Sequence, residues 1–417
     1  MYINNNIITH KFGGSSLASV ACYQRLLNNV KSMGANDWIV VSASGKTTNS
    51  LKAIYDLAGS LNEQALMMLD DLRQYQLKLI NALTAEHQAS LIEAYETDLN
   101  ELKTKITQSG QQKCHPDEFL YYGEIWSARM LTAFLSEQGI PVSFVNAAEI
   151  LVLKGESVDI DVSHQNLIAS QLLQQEGLKV VTGYIASDTE GKICTLGRNG
   201  SDYSASLFTK LIKAKQVQFW TDVKGVYSAD PNIVESARLL ATVDWQVVSC
   251  LARSGSTVLH SKTLDSLAEG SCEIILRSSM DSMHQGTKVV KNADYCHPLV
   301  SFSEGFGLIR NGGKEIQSKH VAFTTSDYFL IFPEFIDLYK ELELKEVSLI
   351  FISDINVSAL KWLEVLGIDC LFSIYPNDRV ELLITMSKVA EQQLNLLHEK
   401  ALSNYWLPEK LIVNGLK

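Results

Sequence analysis

"IITHKFGGSS", Ile7 to Ser16, decides how the rest of the chain is read. Ile7 to Phe12 has the make-up of a short strand, and the glycine–serine run after it that of a tight loop. From Leu17 to about Met33 the apolar residues return at helical spacing. "DWIVVSA", ending at Ala43, is then a continuous apolar run, as in a strand buried on both faces. Strand, glycine loop, helix and strand in that order open a parallel α/β domain. Gly13 and Gly14 let backbone amides approach an anion, and a helix start behind them adds partial positive charge. Lys11 places an ammonium at the strand end. A structural turn beside a surface lysine accounts for the same residues equally well.

"VVSASGKTTN", Val40 to Asn49, ends like the phosphate loop of many nucleotide hydrolases. That loop needs a glycine five residues before Gly45. Val40 stands there, and its side chain blocks the tight backbone wrap around phosphates. The motif is half present, and the rest of the chain must give it meaning.

The 417 residues suffice for two or three domains, and 46% hydrophobic with 20% charged residues is a globular profile. A net charge of −11 argues against a general nucleic-acid grip, which needs a basic face. The seven cysteines are scattered without a CxxC pair, so neither a disulfide framework nor a zinc site is expected. Cys114-His115 and Cys296-His297 lack matching partners, and no metal site is assigned to protein side chains. No apolar run approaches the roughly 20 residues of a membrane helix, and the N-terminus lacks a signal pattern. The expectation is a reduced, cytoplasmic protein with no membrane or nucleic-acid partner.

Residues from about 62 to 109 carry apolar positions at helical spacing, such as Leu91, Tyr95, Leu99, Leu102 and Ile106, and read as a helical insertion. Alternation resumes after Pro116 with a helix to about Gln138, the strands "PVSFVNA" and "LKVVTGYIA", and a strand, loop and helix across "KICTLGRNGSDYSASLFTKLIKA". "QVQFWTDVKGVYSADP" suggests two strands about a Lys224-Gly225 turn. The polar stretch from Met280 to about His297 is a boundary. Beyond it "YFLIF", "VSLIFI", "CLFSI" and "VELLITM" are four strand candidates interleaved with helices, a small α+β module.

Two further loops carry chemistry. In "LGRNGSDYSA", Arg198 is a cation on a flexible loop suited to bidentate carboxylate recognition, while Ser201 and Asp202 fit helix N-caps or the rim of an anion site. In "WTDVKGVYSADP", Asp222 and Asp230 flank Tyr227, an arrangement that a β-hairpin with an Asp-Pro turn also explains.

The order of these motifs resembles the aspartokinases of the amino-acid-kinase superfamily. "KFGGSSLA", "SASGKTTN", "GEIWSA", "TLGRNGSDYSA", "WTDVKGVYSADP", "GSTVLHSKTL" and "GTKV" follow in the family's sequence over roughly residues 7 to 290. Within it the chain looks most similar to the kinase half of the methionine-branch bifunctional aspartokinase–homoserine dehydrogenase. The resemblance implies an amino-acid-kinase-like sandwich with a mainly parallel sheet over 1–297, and an ACT-like α+β regulatory or dimerisation domain over 298–417. It implies transfer of the ATP γ-phosphoryl to the β-carboxylate of L-aspartate, with Mg²⁺ on the phosphates, in lysine, threonine and methionine biosynthesis. Lys11, with Gly13 and Gly14 beside it, is assigned to the transferring phosphoryl group; by resemblance Glu124 and Arg198 bind aspartate, and Ser42, Thr48, Ser201 and the catalytic Asp202 complete that pocket. Thr221, Asp222, Tyr227 and Asp230 match the nucleotide loop. The "SASGKTTN" stretch becomes a substrate loop, and its phosphate-loop ending is mimicry. A homodimer through the C-terminal domain is expected, either alone or as the kinase part of a longer chain with a homoserine dehydrogenase domain.

Two positions depart from the family. Asn232 stands where many members have arginine, and Thr257 where lysine is common; Lys224 and Lys262 are the candidate replacements. The rival readings are a ligand-binding regulatory protein on a kinase fold and a superfamily kinase acting on glutamate or a carbamate. A dinucleotide loop at "SEGFGLIR" is excluded, because Arg310 occupies the third glycine position.

Overall fold

The computed structural model describes residues 7–109, 114–255, 259–281, 283–293, 297–312, 315–355, 358–386 and 388–403. In chain order, β1 (Ile8–Phe12) leads through a 3-10 turn at Gly14–Leu17 into α1 (Val20–Val30) and β2 (Trp38–Val41). Helices α2 (Thr47–Leu57), α3 (Asn62–Ile80), α4 (Ala85–Gln108), α5 (Asp117–Leu120) and α6 (Tyr122–Glu137) follow. Next come β3 (Val142–Val145), β4 (Val152–Lys154), β5 (Ser157–Val158), α7 (Ile160–Ala169), β6 (Leu178–Thr182) and β7 (Ile185–Asp188). They lead to β8 (Ile193–Thr195), α8 (Gly200–Leu211), β9 (Gln216–Thr221), β10 (Thr242–Asp244), α9 (Trp245–Arg253) and α10 (Ser261–Leu267). The remainder holds β11 (Glu273–Ser278), β12 (Thr287–Val290), β13 (Leu299–Arg310), β14 (Val321–Thr324), β15 (Tyr328–Ile331) and β16 (Leu344–Ser353). It closes with α11 (Leu360–Leu366), β17 (Cys370–Asn377), β18 (Val380–Thr385) and α12 (Glu391–Ser403). Two compact units result, Met1–Lys224 with Asp265–Gln285, and Gly225–Leu264 with Gly286–Lys417.

In the first unit six strands run parallel in the order β11-β9-β1-β2-β6-β3. The chain starts in the middle at β1, builds outward through β2, and returns to the other flank of β1 with β9. That makes β1 the point where the winding reverses, the place where open α/β sheets bind ligands at their carboxyl edge. All four residues of β2 are buried, as its unbroken apolar run requires. Helix α8 covers one face, with Phe208 stacked on Trp38 at 5.5 Å between ring centroids. On the other face Phe12 stacks on Trp220 at 5.2 Å, and the Arg277 guanidinium lies 4.4 Å from the Trp220 ring centre.

A buried polar clamp sets the start of β1. Asp37 accepts hydrogen bonds from the Ile8 amide at 2.9 Å and the Gly34 amide at 2.7 Å, and pairs with His10 Nε2 at 3.1 Å. The Trp220 indole donates to His10 Nδ1 at 3.2 Å, so Nε2 carries the proton and donates to Asp37. Burial lowers the His10 pKa and keeps the ring neutral.

Two sequence expectations change. "LKVVTGYIA" is not one strand. Tyr184 takes a left-handed φ of 66°, ending β6 and sending β7 into a separate four-stranded sheet of order β5-β4-β7-β8. Nor does "QVQFWTDVKGVYSADP" form a hairpin. β9 is flanked by β1 and β11 and has no free edge for a returning strand, so only an isolated bridge, Tyr227 to Leu239, appears beyond it.

The second unit contains an antiparallel sheet of order β14-β15-β13-β16-β18-β17, and a parallel pair of β10 with β12. The succession β16, α11, β17, β18, α12 is an ACT-like α+β arrangement. Ile350, Ile352 and Leu383 on one sheet face pack with Leu363 of α11 and Leu394 and Leu397 of α12. Val347, Leu349 and Ile384 on the other face pack with Phe306 and Leu308. Besides the four anticipated strands the antiparallel sheet holds β13 and β14. Gly305, at φ 79°, sits in a β-bulge of β13 between Ser303 and Phe306, so "SEGFGLIR" is strand rather than a dinucleotide loop. Among the described residues no helix is long and apolar enough to cross a membrane.

The clamp predicts that Asp37→Ala lowers the unfolding free energy by about 2–4 kcal/mol, since buried donors lose their acceptor. A urea midpoint equal to that of the native protein would refute it. Because the His10 pKa is lowered in the folded state, the unfolded chain takes up the proton first. Stability held at neutral pH therefore falls as pH drops below about 6.5.

Candidate active site

The loops after β1, β2 and β6 meet the first turns of α6 and α8 at the carboxyl edge of the parallel sheet. The Ser42 amide donates to the Phe12 carbonyl at 3.1 Å and the Gly45 amide to the Gly14 carbonyl at 2.9 Å. A Cβ on Gly14 would stand 2.5 Å from the Ala43 oxygen, so only glycine lets these loops interlock. A Cβ on Gly123 would stand 2.8 Å from the Ala43 Cβ, and one on Gly183 2.7 Å from the Ser201 Cβ and 2.8 Å from the Val41 oxygen. The first turns of α6 and α8 are thereby drawn to the ends of β2 and β6.

Lys11 Nζ contacts Asp202 Oδ1 at 2.6 Å, both side chains being mostly shielded. The N-cap reading of Ser201 and Asp202 is corrected: Asn199, at φ 54°, precedes the helix, and both residues lie within its first turn. The helix expected directly behind Gly13 and Gly14 also begins later. A 3-10 turn comes first, and α1 is capped by Ser19, whose Oγ accepts from the Cys22 amide at 3.3 Å.

Glu124 is 2% exposed. Its Oε1 accepts from the Ala43 amide at 3.2 Å, while Oε2 has no hydrogen-bond partner. Burial pushes its carboxyl up to about 8. Beside it Ser127 Oγ donates to the Ser42 carbonyl at 2.8 Å. Thr48 is half-buried in the first turn of α2, next to Thr47, whose Oγ1 donates to the Ser44 carbonyl at 2.7 Å. Arg198 is exposed on the loop from β8 to α8. The root of that loop is held by Asp117, whose carboxylate accepts from the Thr195 amide at 2.9 Å and the Thr195 hydroxyl at 2.8 Å.

In the nucleotide stretch, Thr221 Oγ1 donates to the Val223 carbonyl at 2.9 Å, and Asp222 is exposed. Tyr227 and Asp230 belong to the second unit. There Asp230 Oδ1 accepts from the Asn232 amide at 2.9 Å and its side-chain nitrogen at 3.0 Å, so the departing Asn232 serves the local turn. Lys224 pairs with Asp281 at 3.4 Å, and Lys262 is exposed. Thr257 and Cys296 lie outside the described residues. Sequence reasoning did not single out Asp117 or Gly183, and held Gly123 and Ser127 only as part of the "GEIWSA" motif. For Gly183 a signal existed, a glycine interrupting an apolar run.

A central lysine held by a carboxylate, glycine-lined loops and a buried carboxylate with a spare oxygen thus stand together at the winding reversal of a parallel sheet. The profile of the amino acid kinase family matches residues 6–278, and the chain belongs to that family. It is 38% identical over 286 residues to the bifunctional aspartokinase/homoserine dehydrogenase 2 of Escherichia coli K12, covering 67% of this chain and 35% of that one. It is 28% identical over 298 residues to the lysine-sensitive aspartokinase 3 of the same organism, covering 70% and 65%. The chain thus spans about a third of the length of the bifunctional relative. Among solved structures, E. coli aspartokinase III in complex with aspartate and ADP superposes with a TM-score of 0.80 at 23% identity, covering 94% of this chain and 99% of that one.

Because Glu124 binds a proton in the folded state that the unfolded chain releases near pH 4.5, stability declines as pH rises from there towards about 8. Glu124→Gln should remove that decline, giving a variant more stable than the native protein at pH 8.5 and similar to it at pH 4. Parallel unfolding curves across this range would contradict the burial argument.

Proposed function

We propose that the protein is an aspartate kinase, an ATP-dependent phosphotransferase that forms 4-phospho-L-aspartate in the biosynthesis of aspartate-derived amino acids. The observation that carries the reading is Glu124, a buried carboxylate with an unpartnered oxygen at the carboxyl edge of β2. An α-ammonium supplies the missing donors and the missing positive charge, which selects an amino acid as phosphoryl acceptor. Arg198 then takes the α-carboxylate, with Ser42, Thr48 and Ser201 completing the pocket.

The β-carboxylate of aspartate, with a pKa near ~4, is ionised at neutral pH and needs no general base. The protein's task is to bring two anions together. Lys11, aimed by Asp202, neutralises charge on the transferring phosphoryl, with the Gly13 and Gly14 amides beside it. Bond formation from the carboxylate oxygen to phosphorus accompanies departure of ADP. The stretch from Thr221 and Asp222 to Tyr227 and Asp230 binds the nucleotide. Mg²⁺ would be carried on the phosphates and water, neutralising charge on the nucleotide. We place the functional boundary near residue 297, past the matched family region, although Gly225–Leu264 packs with the C-terminal unit. Homodimerisation through residues 298–417 is supported by the edge position of β17, which exposes Leu371 and Tyr375. The kinase assignment holds equally for this chain alone or joined to a homoserine dehydrogenase region.

Incubation with ATP, aspartate and hydroxylamine should yield aspartyl hydroxamate; glutamate or carbamate as the productive acceptor would overturn the assignment. Arg198→Ala should raise the aspartate KM about tenfold or more with the ATP KM little changed, in keeping with loss of a charge-assisted pair. Lys11→Ala should depress kcat by about 100-fold or more. Near-normal turnover of that variant would remove Lys11 from the phosphoryl site.

A further inference from the structure

The segment from Val226 to Leu240 has little regular structure of its own. Its ends are tied by the Leu240 amide to the Val226 carbonyl at 2.8 Å and the Ser228 amide to the Arg238 carbonyl at 2.8 Å. Between them Ala229 and Val234 are buried in one core with Leu394, Leu397 and Ala401 of α12. The polar face of the same helix reaches into the loop. Asn395 donates from Nδ2 to the Ile233 carbonyl at 3.1 Å. His398, three residues on and so on the same helix face, is fully buried. Its Nε2 lies 2.8 Å from Ser228 Oγ and its Nδ1 3.1 Å from Ser236 Oγ. Ser228 Oγ also accepts from the Arg238 amide at 2.8 Å. The imidazole therefore bridges the two limbs of the loop on either side of Asp230. Burial and the nearby Arg238 guanidinium lower its pKa, against the weaker pull of Glu399. A neutral ring offers one donor and one acceptor, which is what two hydroxyls need.

We propose that His398, from the last helix of the C-terminal unit, is a positioning residue for the nucleotide loop: by bridging Ser228 and Ser236 it fixes the loop conformation that presents Tyr227 and Asp230 to ATP. This rests on the assignment of Tyr227 and Asp230 to the nucleotide. The residue touches no substrate and acts through the loop. A consequence is that any displacement of α12 changes ATP affinity without changing the groups assigned to aspartate.

The test uses the full chain with His398→Ala, His398→Gln and Ser236→Ala, the last removing a single hydroxyl from an otherwise exposed residue. Steady-state kinetics for ATP and aspartate are combined with amide hydrogen exchange over residues 226–240. In His398→Ala the loop amides should lose protection and the ATP KM should rise about three- to tenfold, the worth of one buried hydrogen bond, with the aspartate KM unchanged. His398→Gln, which retains a donor and an acceptor, should recover much of both effects, and Ser236→Ala should give a smaller rise of the same kind. Unchanged loop protection in His398→Ala and Ser236→Ala would overturn the positioning role itself. Lost protection with an unchanged ATP KM would instead overturn the nucleotide assignment of the loop, and with it the proposal. Equal rises in both KM values would reduce His398 to a general stabiliser and also overturn it.

Discussion

The short contact between Lys11 and Asp202 joins the central strand of the parallel sheet to the helix that covers it. A lysine on an interior strand is held in place only if something offsets the cost of removing its charge from water. Asp202 does so from the first turn of α8, and the position of α8 depends on Gly183, where a larger residue would strike Ser201 and Val41. The ammonium is thus aimed by the protein's own side chains.

Glu124 is the counterweight. Its partners satisfy one carboxylate oxygen and leave the other buried and unpaired, an arrangement that costs stability in the free protein. Such a cost is consistent with a group whose partner arrives with the substrate. One edge of the sheet therefore presents a paired cation and a buried carboxyl group that gives up its proton when a cation arrives to pair with it. Their separate loops interlock through Gly14 and Ala43, so a shift in either is felt by both.

Much of this was legible in the sequence, and the rest had identifiable causes for hiding. Unbroken apolar runs such as "WIVV" and "SLIFI" announce buried strands because both faces are covered. Glycines next to Lys11 and Arg198 mark loops near a charge. Other features could not be read locally. The hairpin anticipated after Trp220 fails because β9 lies between two other strands, a property of topology. β13 is masked by Gly305 and Gly307, which read as a loop until the bulge at Gly305 is seen to reverse which face the strand buries. The His10–Asp37 and His398–Ser228 contacts span 27 and 170 residues. Glu124 stood out only by resemblance, since helical periodicity alone would leave it solvated.

The central claim is that the opening strand supplies the cation under which two anions meet, while Glu124 supplies the anion that selects an amino acid. A crystal structure with aspartate and a non-hydrolysable ATP analogue tests this most directly. The account predicts the terminal phosphate within hydrogen-bond distance of Lys11 Nζ and the aspartate ammonium on Glu124 Oε2. A terminal phosphate seated away from Lys11, or an aspartate ammonium bound by other groups with Glu124 Oε2 still unpaired, would contradict it.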